Sequence, residues 1–161
     1  MSDRSRTITW EDPSLLVEIA RGKSGLEALR SIIDGTAADP PIARLLDFRL
    51  VAAEEGFAAF EAEPAEYHYN PIGVVHGGFA MTLLDSALGC AVLSALAAGV
   101  MYTTTDTQVR FIRPITADTG TVRCEGRVIH VGRTTGISEG RLTSAAGKVL
   151  ATGTSACAIF R

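Results

Sequence analysis

The sequence predicts an α+β fold in which a curved antiparallel sheet of about six strands wraps around one long central helix, with extra helices at the N-terminus. Two observations support this prediction. Residues 77–98 form a long apolar segment rich in Ala and Leu, and six short β-prone runs flank it, two before and four after. A helix that is apolar on nearly all sides must be buried on most faces, and a curved sheet can provide that cover.

The N-terminal part predicts helices. Residues 14–34 have helical apolar spacing in two pieces, interrupted at Arg21-Gly22 and ended by Gly35. Ser24 is placed to cap the second piece. After a break at Pro40-Pro41, residues 42–46 predict one more helical turn. We therefore divide the chain into an N-terminal helical extension, residues 1–45, and a main domain, residues 46–161.

The main domain begins with two β-prone runs, 48–55 and 57–63, which Gly56 joins into a predicted hairpin. A loop over residues 67–73 leads to the long helix, which Gly99 ends. Four β-prone runs follow, at residues 102–113, 120–133, 135–145 and 148–160. In the first run, every second residue from 103 to 111 is Thr103, Thr105, Thr107, Val109 and Phe111.

The length and the cysteines limit the class of protein. A chain of 161 residues can bury a core without a disulfide or a metal. Cys90, Cys124 and Cys157 are scattered and odd in number, which argues against a disulfide scaffold or a zinc site and suits a reducing compartment. The start has no apolar leader, and the uncharged apolar stretch 86–101 is short for a bilayer span. We expect a cytoplasmic protein without metal or membrane partner.

The charge distribution bears on the ligand. The formal net charge is −3 and the pI about 5.6, which argues against nucleic-acid binding. Residues 101–161 nevertheless carry eight Lys and Arg against four Asp and Glu. This basic half is compatible with a compact anionic ligand, and equally with arginines on the solvent face of strands.

The segment from Asn70 to Asp85 is the most informative for chemistry. It places His76-Gly77-Gly78 at the start of the long helix, where unpaired amides and the helix dipole can stabilise a developing negative charge. The alternative is that the two glycines only permit a tight turn and close packing. His76 similarly could cap the helix, act as an acid or base, or support the loop.

Asp85 is the only charged residue between Gly77 and Val100. An unpaired buried carboxylate costs several kcal/mol, so it needs a partner or a wet pocket. One interpretation is a structural hydrogen bond to Thr82 or Ser86. The other is a carboxylate that attacks an acyl carbon or activates water to do so.

The spacing predicts a shared site. Gly77 and Asp85 are eight residues apart, or about 12 Å along a helix, so one copy cannot bring both to the same carbonyl. Two antiparallel copies could, because each helix start would face the middle of its neighbour. If both features are catalytic, the site lies between subunits.

Three motifs together resemble one family. They are N-x5-HGG-x6-D from Asn70 to Asp85, Arg110-Phe-Ile-Arg113-Pro114, and Val128-Ile-His-Val-Gly132-Arg133-Thr134. This pattern resembles the hotdog-fold acyl-CoA thioesterases, of the phenylacetate-pathway and 4-hydroxybenzoyl-CoA type, over about residues 45–160. The resemblance implies the hotdog fold, dimers that pair into tetramers, and hydrolysis of acyl-CoA to a free acid and CoA with no cofactor beyond the CoA of the substrate.

The resemblance also implies residue roles. Asp85 would be the nucleophile or general base, Gly77 N–H the oxyanion donor, and Asn70 and His76 of the opposite subunit would position the carbonyl or the water. The implied CoA-binding residues are Gly78, Arg113, Gly132, Arg133 and Thr134. Relatives often carry Ser or Thr one turn after the carboxylate to hold water, whereas this chain has Gly89. Ser86 or Thr104 could take that role instead.

Two other functions remain open. One is a hotdog hydratase or dehydratase, whose usual motifs we do not find. The other is an acyl-CoA-binding protein without turnover, against which the lone carboxylate of Asp85 argues. The acyl group of the substrate is not predicted.

Overall fold

The computed structural model describes residues 3–160, and its elements follow the predicted order. The helices are α1 (Pro13–Ala20), α2 (Gly25–Ile33), α3 (Pro41–Leu46) and α4 (Gly77–Ser94). The strands are β1 (Phe48–Glu54), β2 (Phe57–Ala62), β3 (Met101–Phe111), β4 (Val122–Val131), β5 (Thr135–Ser144) and β6 (Val149–Phe160). Short 3₁₀ turns lie at Glu66–His68 and Ala117–Thr119.

The six strands form one antiparallel sheet in the order β1-β2-β4-β5-β6-β3. Helix α4 packs against all six strands, so the sheet wraps around it as the sequence predicts. Strands β1 and β3 are the two edges. The edge of β3 has no strand beside it within the described chain, which leaves a row of backbone groups available for pairing.

Glycines allow the sheet to approach α4 closely. A Cβ atom at Gly126 on β4 would stand 2.3 Å from the carbonyl oxygen of Ala87. At Gly136 on β5 it would stand 2.6 Å from a methyl of Val92. Both distances are shorter than real Cβ contacts, so these positions require glycine.

Helix α2 packs on the far end of α4. Ser24 caps α2 in a capping box with Glu27, as its position in the sequence predicts. The Gly25 N–H donates to the Leu96 carbonyl at 3.0 Å, and a Cβ at Gly25 would collide with the backbone of Leu93. The first turn of α2 is therefore fixed against the chain that leaves α4.

Helix α4 ends at Ser94, four residues before the predicted end at residue 98. The Ser94 hydroxyl donates to the Ala91 carbonyl and accepts a hydrogen bond from the Gly56 N–H of the β1–β2 turn. Leu96 is buried and its carbonyl accepts from Gly25. These tertiary contacts draw the chain out of the helix despite the helix propensity of its alanines.

One face of α4 is not covered by the sheet, and we call it the open face. Ten of the eighteen residues of α4 are buried, and Cys90 and Leu93 pack against the core. The open face consists of the other six: Gly77, Gly78, Met81, Thr82, Asp85 and Ser86. By length and composition α4 would also suit a membrane, but 56% of the apolar window is buried within the fold, as in a core helix.

A bulge in β3 changes which side chains face α4. The pairing with β6 shifts between Thr104 and Asp106. Tyr102 and Thr104 are half-buried before the bulge and Thr107 and Val109 after it, whereas Thr103 is exposed. The simple alternation in the sequence places Thr103 and Thr107 on the same face, and the bulge places them on opposite faces.

Candidate active site

The start of α4 presents one free amide. His76 is the N-cap, and its Nδ1 accepts a hydrogen bond from the Gly78 N–H at 2.9 Å. The Gly77 N–H has no acceptor within residues 3–160. Because Nδ1 accepts, the neutral ring carries its proton on Nε2, on the exposed side chain. The capping role considered for His76 is therefore confirmed, and it leaves the Gly77 N–H for a ligand.

Gly77 also meets a packing requirement. A Cβ atom at this position would stand 2.9 Å from the ring of Phe111 at the end of β3. This contact supports the interpretation that Gly77 permits close packing, and the same residue can also offer its N–H to a ligand. Gly78 differs, because its N–H already donates to His76 and its carbonyl accepts from the Thr82 hydroxyl, so only its Cα remains to touch a bound molecule.

Asn70 shapes the loop before α4. Its Oδ1 accepts hydrogen bonds from the Ile72 N–H at 3.1 Å and the Val74 N–H at 3.3 Å. Its backbone N–H donates to the Val74 carbonyl at 2.8 Å. The side-chain NH₂ group has no partner within the part of the chain that the structure describes, and it remains available as a donor next to the helix start.

Asp85 lies on the open face of α4 and is half-buried. Its hydrogen-bond partner is Thr107 on β3, whose Oγ1 donates to Oδ1 at 3.2 Å. The expected partners were wrong: the Thr82 hydroxyl donates to the Gly78 carbonyl at 2.9 Å, and Ser86 makes no bond to Asp85 among the described residues. The other oxygen, Oδ2, is free to accept from water or to attack a carbon.

Thr107 is a residue that the sequence did not single out as part of the site. It lies within 3.3 Å of the Ser155 hydroxyl, which itself donates to the Asp106 carbonyl. Since each hydroxyl already donates its one proton, to Asp85 and to the Asp106 carbonyl respectively, the Thr107–Ser155 contact places β6 beside the Asp85–Thr107 pair without adding a hydrogen bond. The alternating threonines of β3 were the available signal, but the register relative to α4 depends on the bulge.

Within one chain, the oxyanion donor and the carboxylate of the predicted chemistry lie too far apart to act on the same carbonyl group. Gly77 and Asp85 lie on the same open face, about 12 Å apart along α4, since each residue adds about 1.5 Å. Asn70, His76 and Gly77 lie together at the helix start, and Asp85 lies two turns further on.

The residues expected to bind CoA lie at opposite ends of the sheet. Arg113 follows β3 near the start of α4, and its guanidinium donates to the Val149 carbonyl. Gly132, Arg133 and Thr134 form the turn between β4 and β5, closed by a hydrogen bond from the Gly132 N–H to the Thr135 carbonyl at 2.8 Å. That turn lies toward the end of α4, because the neighbouring Gly136 contacts Val92. A single chain does not bring Arg113 to it.

Two further side chains adjoin Asp85. Cys90 packs against the core, and burial, with a smaller contribution from the Asp85 charge, raises the pKa of its thiol to about 12. Tyr102 on β3 packs its ring on Gly89, and burial raises the pKa of its hydroxyl well above its usual value of 10.0. Both groups keep their protons at neutral pH.

Comparison with known families identifies similar proteins. A family model described as the thioesterase superfamily matches residues 72–151, a range that contains His76, Gly77 and Asp85. A curated protein of Halobacterium salinarum that carries a provisional esterase name is 42% identical over 69 residues. That match covers 42% of this chain and 44% of the relative, so the chain spans less than half of the relative's length.

Solved structures share the fold over most of the chain. A phenylacetic acid degradation-related protein of Ralstonia eutropha, with a provisional thioesterase name, is 27% identical with a TM-score of 0.73, over 81% of this chain and 98% of that one. A Streptococcus mutans protein bound to acetyl CoA is 25% identical with a TM-score of 0.64, over 70% of this chain and 88% of that one.

Proposed function

Because this chain belongs to the thioesterase superfamily and has the hotdog fold, we propose that it hydrolyses acyl-CoA thioesters to a free acid and CoA, at a site formed by two copies of the chain. The observation that carries this proposal is the open face of α4. It presents an unpaired Gly77 amide at one end and, two turns away, a half-buried Asp85 carboxylate with one free oxygen.

A second copy would complete the site. Two α4 helices that run antiparallel with their open faces together would place Gly77 of each against Asp85 of the other. The unpaired edge of β3 supports this arrangement, since β3 lies beside α4 and could pair with the same strand of the partner. Met81 lies between Gly77 and Asp85 on this face and is 42% exposed, which suits an apolar interface.

The helix start would bind the carbonyl of the thioester. The Gly77 N–H, reinforced by the helix dipole, would donate to the carbonyl oxygen as it becomes negative in the transition state. The free NH₂ group of Asn70 and the Nε2–H of His76 are further donors beside it and would orient the thioester or the water.

Asp85 of the partner would act in one of two ways. As a general base, its free oxygen takes a proton from water while the water oxygen bonds to the carbonyl carbon. The tetrahedral intermediate then breaks the C–S bond, and the CoA thiolate leaves with the proton that Asp85 returns. As a nucleophile, the carboxylate oxygen itself bonds to the carbon and expels the thiolate. Water then hydrolyses the resulting anhydride to the free acid and protonated Asp85, and the Asp85 proton neutralises the thiolate.

The CoA moiety would use the basic half of the chain. We assign to it Gly78, Arg113, Gly132, Arg133 and Thr134, of which the two arginines supply charge for phosphate groups. In a dimer, Arg113 of one copy and the β4–β5 turn of the other could approach one another, whereas they are at opposite ends of one chain. The acetyl CoA bound to the Streptococcus mutans relative supports a CoA ester as ligand.

The test is thiol release from a panel of aryl, medium-chain and long-chain acyl-CoAs, with the wild-type protein and Asp85→Asn. The amide keeps an acceptor for Thr107 but can neither attack carbon nor accept a proton from water. We expect kcat to fall about 10²- to 10⁴-fold in the variant, with the thermal midpoint little changed. Equal rates would remove Asp85 from the mechanism. CoA-ester binding without thiol release by the wild type would indicate a binding protein, and loss of substrate without thiol release would indicate a hydratase.

A further inference from the structure

Tyr102 places a hydroxyl group over α4 one turn beyond Asp85. Its hydroxyl oxygen lies 3.1 Å, and its Cε2 atom 3.2 Å, from the point where a Cβ atom would stand at Gly89. Gly89 is four residues after Asp85 and therefore lies on the same side of the helix, about 6 Å further along the axis. The ring of Tyr102 fills the space that any side chain at position 89 would need.

The hydroxyl of Tyr102 is available for a hydrogen bond. No described residue provides a partner for it, and it is not among the enclosed polar atoms that lack one, so it reaches solvent or a ligand. Burial, with a contribution from the Asp85 charge, raises the pKa of this hydroxyl well above 10.0, so it stays protonated. A neutral phenol can both donate and accept.

Two other hydroxyl groups of β3, those of Thr104 and Thr107, belong to half-buried side chains. Thr107 donates to Oδ1 of Asp85. Thr104 lies opposite Cys157 in the β3–β6 ladder. The Oδ2 of Asp85 and the Tyr102 hydroxyl thus both lack a hydrogen-bond partner among the described residues, and the two side chains are near enough for the Asp85 charge to raise the pKa of the phenol.

We propose that Tyr102 is a positioning residue whose hydroxyl, together with Asp85, holds the water that enters the reaction. This inference rests on the proposed thioesterase function. Water is consumed by either route available to Asp85, since it attacks the thioester carbon in one and the anhydride in the other. A water held by the Asp85 carboxylate and the phenol of Tyr102 has an acceptor for its proton and a donor to its oxygen, so a lone pair remains directed at the carbon.

The first experiment is steady-state kinetics of Tyr102→Phe on the best acyl-CoA of the panel. The ring remains packed on Gly89, so the fold and the substrate-binding surface are preserved. Loss of one hydrogen bond to the reacting water is expected to lower kcat about tenfold with KM unchanged. A merely structural role would leave kcat unchanged, and a role in substrate contact alone would raise KM.

A second pair of variants supplies the hydroxyl group from α4 instead of from Tyr102 on β3. Tyr102→Leu removes both ring and hydroxyl, and Tyr102→Leu combined with Gly89→Ser supplies a hydroxyl from α4 in the room so created. We expect the double variant to regain several-fold in kcat over Tyr102→Leu. Failure of the double variant to exceed the single one, or full activity of Tyr102→Phe, would overturn the role of Tyr102.

The controls separate this role from the function on which it rests. An active wild type with an inactive Asp85→Asn and a fully active Tyr102→Phe refutes only the water-positioning role. A wild type that releases no thiol from any acyl-CoA refutes the proposed function and this role together. Thermal midpoints of all variants show whether a loss of kcat reflects unfolding.

Discussion

His68 is a buried titratable side chain whose hydrogen bonds require one neutral form. Its Nδ1 accepts from the Ala65 N–H at 3.0 Å, so the N–H at Nε2 donates to the Leu46 carbonyl, also at 3.0 Å. Burial lowers the pKa of the ring below its ordinary 6.5, and nearby Arg6 lowers it further, while the Leu46 carbonyl and Asp47 oppose the shift.

This lowered pKa makes the stability of the fold depend on pH. Below about pH 6.5 the unfolded chain binds a proton at His68 more readily than the folded chain does. The free energy of unfolding should therefore be highest above pH 6.5 and should fall, by at most about 1.4 kcal/mol per pH unit, as the pH drops toward the lowered pKa. Urea unfolding at a series of pH values measures this slope.

Two variants test the assignment of the slope to this side chain. His68→Gln loses buried hydrogen bonds worth about 1–3 kcal/mol in total, but its stability should change less with pH below 6.5 than that of the wild type. His130→Gln alters an exposed ring and should keep the wild-type slope. The same slope in all three proteins would assign the pH dependence to other groups.

At the residue scale, the sequence pointed to Asp85 and the start of α4 more clearly than to the side chains that they contact. Asp85 could be recognised because it is the one charge in a long apolar segment. Its bond to Thr107 and the packing of Tyr102 on Gly89 could not, because both join α4 to β3 across a register that a bulge changes. The sequence shows no such bulge.

At the scale of elements, the tight contact between the sheet and α4 sets the position of the site. Glycine at 126 lets the β4 backbone lie against Ala87, two residues from Asp85. The predicted helix and strands were confirmed within a few residues, because apolar period and turn residues are local signals. The end of α4 was not, because Gly25 and Gly56 terminate it from distant parts of the chain.

A pair of glycine substitutions tests this packing. Gly126→Ala places a methyl group 2.3 Å from a helix carbonyl and should destabilise the protein by about 3 kcal/mol or more. Gly153→Ala is the matched control on the neighbouring inner face of β6, where the nearest atom is 3.2 Å away, and should change stability by no more than about 1 kcal/mol. Chemical denaturation of both variants gives the comparison, and similar values for the two would contradict the close approach at position 126.

At the scale of the whole molecule, the open face of α4 and the free edge of β3 lie together. The other faces of α4 are covered by the six strands. The distance between Gly77 and Asp85 predicted a shared site from the sequence, and the structure keeps the two groups on one face. The arrangement of the two copies remains part of the proposed function.

Subunit mixing tests the shared site. His76→Ala and Asp85→Ala each remove a different half, so each homodimer should be inactive. After subunit exchange, every heterodimer has one site with both halves and one with neither, which restores about a quarter of wild-type activity at equal mixing. Samples combined without exchange are the control. Activity that stays absent after exchange, with heterodimers shown by mass spectrometry, would contradict a site built from two chains.

The three cysteines also determine how the chain behaves toward electrophiles. Burial raises the pKa of the Cys90, Cys124 and Cys157 thiols, so almost none of each is thiolate at neutral pH. Disulfide chromophores and maleimides react with thiolate, whereas the CoA product carries an ordinary accessible thiol. The folded protein should therefore react very slowly with such dyes, and its own cysteines should react only when the protein unfolds. One dye could then follow turnover in the native protein and unfolding in a heated one.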